Sequence, residues 1–215
     1  MIFRPETASK VAELLLQIKA IKLQPSNPFT WASGIKSPIY CDNRVILSYP
    51  DIRTYIRQEM CEAIQNSYTS PSVIAGVATG GIPFGTLVAQ ELGVGFAYVR
   101  SSSKGHGLQN QVEGVVNPGQ DVVVIEDLVS TGMSSLDAVA ALRNKEASIK
   151  GMIAIFSYGF DSTYERFKKE RCPITVLCDY DHLLEIALKT KYINEKELKS
   201  IQMWRKDPES WSNQL

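Results

Sequence analysis

Between Val122 and Ser135 the sequence runs VVVIEDLVSTGMSS: apolar residues, two adjacent carboxylates at Glu126 and Asp127, then a turn of small, hydroxyl-bearing and glycine residues. The apolar run predicts a buried strand, and Ser130, Thr131, Gly132, Ser134 and Ser135 suit the start of a following helix. Free backbone N–H groups and the helix dipole at such a point hold a phosphate without any lysine. The loop can therefore cradle a monophosphate; it has neither the Gly-Lys-Ser/Thr ending of a nucleoside-triphosphate loop nor the GxGxxG of a dinucleotide site. Glu126 and Asp127 would repel that phosphate unless they face something else, such as the hydroxyls of an attached ribose or a magnesium ion. A sugar phosphate meets both halves; a plain capping turn with solvated strand-end acids carries the same residue types.

Two other stretches bear chemistry. Arg100, Lys104 and His106 fall within seven residues, flanked by Gly105 and Gly107. They open a polar, aperiodic segment from Ser101 to Gln120, and loops of about twenty residues are usually functional lids or disordered. Cations there would neutralise charge developing on a departing anion; a solvated loop with incidental charges is the alternative. ATGGIP, Ala78 to Pro83, has Gly80 and Gly81, which allow unusual dihedrals and close backbone approach, or simply a tight turn between strand and helix.

The elements that must position these residues follow from periodicity. Val11 to Ile21 has helical spacing, SPIYCD reads as a short strand, and YPDIRTYIRQEMCEAIQ opens a helix at Pro50 and Asp51. SVIAGVA, GFAYVR, DVVVIED, KGMIAIFSYGF and PITVLCDYD read as strands, with helices at FGTLVAQEL, closed by Gly93, and from about Ser134 to Asn144. The tail, from LLEIALKTKYI to Trp211, reads as two helical pieces joined near INEKE. Alternating strands and helices predict an α/β fold with a mainly parallel sheet. At 215 residues and 44% hydrophobic content, one domain is expected. Lys+Arg and Asp+Glu both number 23, so the chain has no net field to attract nucleic acid or an anionic membrane, and any anion must be held by local groups. Leu14 to Ile18 is too short and too flanked by charge for a signal peptide or a membrane span, so a cytoplasmic protein is expected. Cys41, Cys61, Cys172 and Cys178 lack any metal-ligand spacing and are expected to be small hydrophobes in a reducing compartment.

VVVIEDLVSTGMSS closely resembles the phosphoribosyl diphosphate motif of the type I phosphoribosyltransferases, in which a hydrophobic strand, two acids and a Ser/Thr/Gly loop occur in this order. Within that class, FTWASGIKSPIYCDNR, Phe29 to Arg44, is similar to the N-terminal element of the orotate phosphoribosyltransferases, and RSSSKGHG, Arg100 to Gly107, resembles their catalytic loop. The resemblance covers nearly the whole chain. It implies a type I phosphoribosyltransferase-like α/β fold, a mainly parallel central sheet flanked by helices, as a single domain over residues 1–215 with residues 1–48 as a cap over the active site. It also implies magnesium-dependent transfer of phosphoribosyl from 5-phosphoribosyl 1-diphosphate (PRPP) to orotate, giving orotidine 5′-monophosphate and diphosphate in pyrimidine (UMP) biosynthesis.

By motif position, the resemblance implies PRPP contacts from Arg100, Lys104, His106, Glu126, Asp127, Leu128, Val129, Ser130, Thr131, Gly132, Met133 and Ser134, with Thr79, Gly80 and Gly81 as the diphosphate turn. Lys104, Arg100, His106 and Asp127 would be catalytic; Ser130, Arg44, Tyr40 and Phe29 would face orotate. No residue is assigned as a metal ligand, Mg2+ being held mainly through PRPP. A homodimer is implied, the Arg100 to Gly107 loop acting on the neighbouring subunit. Departures leave the cationic complement lean. Ala32 stands where many members have lysine, with Lys36 nearby, and Ser101 and Ser102 stand where some have a second loop lysine. SYGFDSTYER offers no clear counterpart to an arginine that some members use for the orotate carboxylate, a part Arg44 would take. The competing expectations are a purine or other base as acceptor, and a regulator that senses the sugar phosphate without catalysis.

Overall fold

The computed structural model describes residues 1–30, 34–68, 70–101 and 111–213. Helix α1 (Pro5–Gln17) begins well before the spacing from Val11 suggests, because Pro5 and Glu6 form a favourable first turn. It also ends sooner: Lys19 adopts φ 57°, and Ile21 opens strand β1 (Ile21–Leu23). Strands β2 (Phe29–Thr30), β3 (Lys36–Ser37) and β4 (Ile39–Cys41) follow, β1 pairing antiparallel with β4 and β2 with β3. A 3₁₀ turn (Asn43–Ser48) leads into α2 (Pro50–Ser67), which has Pro50 and Asp51 at its start as expected.

The main body alternates β5 (Val73–Val77), α3 (Gly81–Leu92) and β6 (Gly95–Val99), with Gly93 closing α3 at φ 66°. Next come β7 (Val112–Glu113), β8 (Asp121–Val129), α4 (Met133–Arg143) and β9 (Ser148–Ser157). Then follow α5 (Asp161–Lys169), β10 (Ile174–Asp179), α6 (Tyr180–Lys189), α7 (Glu195–Lys206) and α8 (Pro208–Ser212). Besides β1 and β2 near the start, two elements of the main body were not legible in the sequence. Strand β7 is a two-residue antiparallel addition to β6, too short for any period. Helix α5, DSTYERFKK, buries only Thr163 and Phe167, so its apolar stripe is one turn long. The tail has three helices, the third started by the Asp207 side chain capping Ser210 N and by Pro208.

Six strands form one sheet in the order β10-β9-β8-β5-β6-β7, parallel except for β7. Both faces are covered. Val123 and Ile125 face a core with residues of α1, α2, α3 and α6, while Val122 and Val124 pack with Ala138, Val139 and Leu142 of α4 and Phe167 of α5. This is why the strand reads as an unbroken apolar run. Burying a Val or Ile contributes about 1.5–3 kcal/mol, so these four fully buried residues outweigh the several-kcal/mol cost of a carboxylate drawn in at the strand's end. On the β10 edge, Ile2 bridges Val176, and Phe3 N donates to Val176 O at 3.0 Å. The four cysteines are free, and burial raises the Cys61 and Cys172 thiols to about 11. No helix among the described residues is long and apolar enough to cross a membrane.

Candidate active site

Strand order reverses at β5: the chain steps from β5 to β6 on one side, then returns to place β8 on the other. The carboxyl ends of β5 and β8 therefore diverge into two turns over a crevice, the usual ligand position in an open α/β sheet. Gly76 pairs with Ile125, which brings the Ala78–Gly80 turn alongside Glu126 and Asp127. A methyl group on Gly80 would overlap the Asp127 carboxylate, and one on Gly81 would collide with Ile125 O. Gly80 has ordinary helical dihedrals, φ −67° and ψ −34°. Close approach, not unusual backbone geometry, is what requires glycine there. The Ala78–Thr79 peptide is cis.

The two acids differ in environment. Glu126 is 6% exposed and accepts from Ser135 Oγ at 2.9 Å and from Asp127 N at 3.1 Å. Burial, then the neighbouring Asp127 charge, pushes the Glu126 carboxyl well above the usual carboxylate range. Burial raises Asp127 as well, opposed by its hydrogen bond with Glu126 and by the Arg44 charge. Ser135, placed by sequence among the phosphate-loop hydroxyls, is buried and turned inward to hold Glu126. Asn43, which sequence reasoning passed over, is fully buried and donates from Nδ2 to Asp127 O at 2.6 Å. Nothing in CDNR marks it out; only the fold brings the 3₁₀ turn against β8.

Beyond Asp127 the chain turns at Ser130–Gly132, where Gly132 sits at φ 76° and α4 begins at Met133. Thr131, Met133 and Ser134 are exposed. Val129 is fully buried, and its carbonyl accepts from Tyr158 N at 3.1 Å. The turn is fastened from behind by α5: Thr163 Oγ1 donates to Ser130 O and Arg166 donates to Thr131 O, each at 2.8 Å. Arg100 closes the other flank. Its guanidinium lies 3.6 Å from Glu113. Together with Val77, Ala78, Ser101, Ser134 and Asp137 it lines a cavity of about 50 Å³ between the β5 turn and the start of α4. Lys104, His106 and Ser102 lie outside the described residues, as does Ala32.

Residues 47–181 match the phosphoribosyl transferase domain family. The chain is 54% identical over 200 residues to orotate phosphoribosyltransferase of Phocaeicola vulgatus, covering 93% of this chain and 94% of that one. The protein of the same name from Bacteroides thetaiotaomicron is 52% identical over the same shares. The chain belongs to the phosphoribosyl transferase family, in its orotate branch. Among solved structures, orotate phosphoribosyltransferase from Aeropyrum pernix superposes with a TM-score of 0.75 at 26% identity, over 86% of this chain and 99% of that one. The fold expected from the sequence, a type I phosphoribosyltransferase sheet flanked by helices, is the fold observed.

In this phosphoribosyltransferase the 3₁₀ turn that follows the small strands meets β8 through Asn43 and Asp127. Phe29 and Tyr40 approach each other with ring centroids 5.5 Å apart, and Tyr40 is 40% exposed. Arg44 makes a two-pronged contact with Asp42, Nε to Oδ1 at 2.7 Å and an Nη to Oδ2 at 2.9 Å, which holds the Asp42 carboxyl below its usual range. Lys36 Nζ donates to Thr30 Oγ1 at 2.8 Å. The C-terminal helices, whose part the sequence left open, reach back to these strands. Trp204 Nε1 donates to Lys36 O at 3.1 Å and Lys36 N donates to Ser212 Oγ at 2.9 Å. Trp204 is anchored among Tyr158, Phe160 and Tyr180, with centroids 6.0–6.2 Å away.

Proposed function

We propose that this orotate-branch phosphoribosyltransferase transfers phosphoribosyl from PRPP to orotate, with Mg2+, to give orotidine 5′-monophosphate and diphosphate. The observation that carries this reading is the crevice between β5 and β8, where Asp127 packs on Gly80 and the Ser130–Ser134 turn opens α4. Amides of Ser130 to Ser134 hold the 5′-phosphate, as helix starts do. Leu128, Val129 and Met133 complete that motif through backbone and packing. Glu126 and Asp127 face the ribose hydroxyls. Thr79, Gly80 and Gly81 present backbone to the diphosphate.

Diphosphate leaves with the bonding electron pair while the orotate ring nitrogen supplies the new one. Negative charge grows on the departing oxygens and positive charge on the sugar. Arg100, Lys104 and His106 meet the first, and the carboxylate of Asp127 favours the second. Among the described residues no group of three His, Cys, Asp or Glu side chains could hold a metal ion. Mg2+ commonly binds through substrate phosphates with few protein ligands, so in this reading it is held mainly by the diphosphate. Bound there, it neutralises phosphate charge. Ser130, Phe29, Tyr40 and Arg44 are assigned to orotate, and residues 1–48 contribute the cap, a reading supported by the bond from Asn43 to Asp127 O. The working unit is a cytoplasmic homodimer with the Arg100 to Gly107 loop reaching the partner's site.

The test is direct: mix the protein with PRPP, orotate and Mg2+ and follow the loss of orotate absorbance, with adenine, hypoxanthine and uracil as control acceptors. Consumption of orotate alone is expected. Turnover of a purine, or of nothing, overturns the assignment.

A further inference from the structure

Helix α5 has a task that the apolar pattern does not announce. Its two donors grip consecutive carbonyls of the Ser130–Gly132 turn: Thr163 Oγ1 takes Ser130 O and Arg166 takes Thr131 O, both at 2.8 Å. A trans peptide is planar with its C=O and N–H pointing opposite ways, and both peptides here are trans. Fixing the two carbonyls toward α5 therefore fixes the N–H groups of Thr131 and Gly132 away from it, on the side of the crevice. Packing enforces the same orientation. Gly132 at φ 76° lies so close that an added Cβ would stand 2.7 Å from the Phe167 ring and 3.1 Å from Thr163 Cγ2. Thr163 and Phe167 are 1% exposed, so this backing is rigid, while Arg166 is at the surface and its bond carries charge assistance.

We propose that Thr163 and Arg166 are positioning residues for the phosphate site: they pre-set the Thr131 and Gly132 amides toward the 5′-phosphate without touching substrate. This rests on the phosphate-loop assignment above and adds its mechanism of preorganisation. Thr163→Val keeps the shape and removes the hydroxyl; Thr163→Ser keeps the hydroxyl. Arg166→Met removes the guanidinium from an exposed position where folding is not at stake.

Binding of ribose 5-phosphate by calorimetry, and KM for PRPP, are the readouts. Thr163→Val and Arg166→Met are each expected to weaken both by about tenfold, the scale of one hydrogen bond lost from a charged-ligand cradle. KM for orotate should stay within about twofold, and Thr163→Ser should restore binding. Wild-type ribose 5-phosphate binding in Arg166→Met overturns the proposal even if Thr163→Val misfolds. Equal weakening by Thr163→Val and Thr163→Ser overturns it too. A wild-type protein that binds ribose 5-phosphate but leaves orotate unconsumed sinks the assigned reaction and leaves this inference standing.

Discussion

Glu126 carries an unusual burden for one side chain: a carboxyl nearly out of water, beside a second acid, with one hydroxyl from Ser135 to hold it. Because its folded pKa is raised, the folded state binds that proton more tightly than the unfolded chain does. Stability from this group is present below the ordinary glutamate value of 4.5 and is lost as pH rises through the raised value. Glu126→Gln, neutral throughout, should therefore melt higher than the parent in unliganded protein, by a margin that widens with pH above 4.5. Parallel melting curves would contradict this. At the leaving-group end, Lys104→Ala is expected to slow turnover by about 30- to 1,000-fold, or about 2–4 kcal/mol, because its charge matters most as diphosphate departs. A kcat within a factor of about two of the parent removes Lys104 from the catalytic set.

At the scale of elements, the site is a meeting of turns that separate strands and helices hold in place. Strand β8 delivers the acids, α5 backs the Ser130–Gly132 turn proposed for the phosphate, and α7 with α8 pins β3. Trp204→Phe keeps the aromatic stack and deletes the indole N–H that Lys36 O accepts. A single such bond is worth about 1 kcal/mol, so KM for orotate should rise roughly fivefold while KM for PRPP holds. An unchanged orotate KM would reduce the C-terminal helices to scaffolding. Most strands were legible because burial on both faces leaves continuous Val and Ile runs. Helix α5 was not, since its stripe is one turn long and its other contacts are polar.

For the whole molecule, the lean charge balance of 23 against 23 means that binding depends on local groups assembled by the fold, and in the proposed dimer by the partner's loop. The dimer can be tested by mixing two inactive variants, Lys104→Ala and Asp127→Asn. If the loop acts across subunits, half of the randomly paired dimers regain one intact site, and activity returns to about a quarter of the parent level. If the loop serves its own subunit, both sites in every mixed dimer stay defective and nothing returns.

The chain's own order of residues determined the fold class and displays the acid pair, the small-residue turn at a helix start and the Arg100 to His106 run of cations, because each depends on neighbours a few positions apart: strand burial, a helix start, a cluster of charge. Tertiary structure alone decided what lies at long range. It brought Asn43 to Asp127, seated Asp127 against Gly80, turned Ser135 inward and set Thr163 and Arg166 behind the Ser130–Gly132 turn. Those contacts join residues up to 84 positions apart, and no local period encodes which distant backbone a side chain will meet once the sheet order reverses at β5.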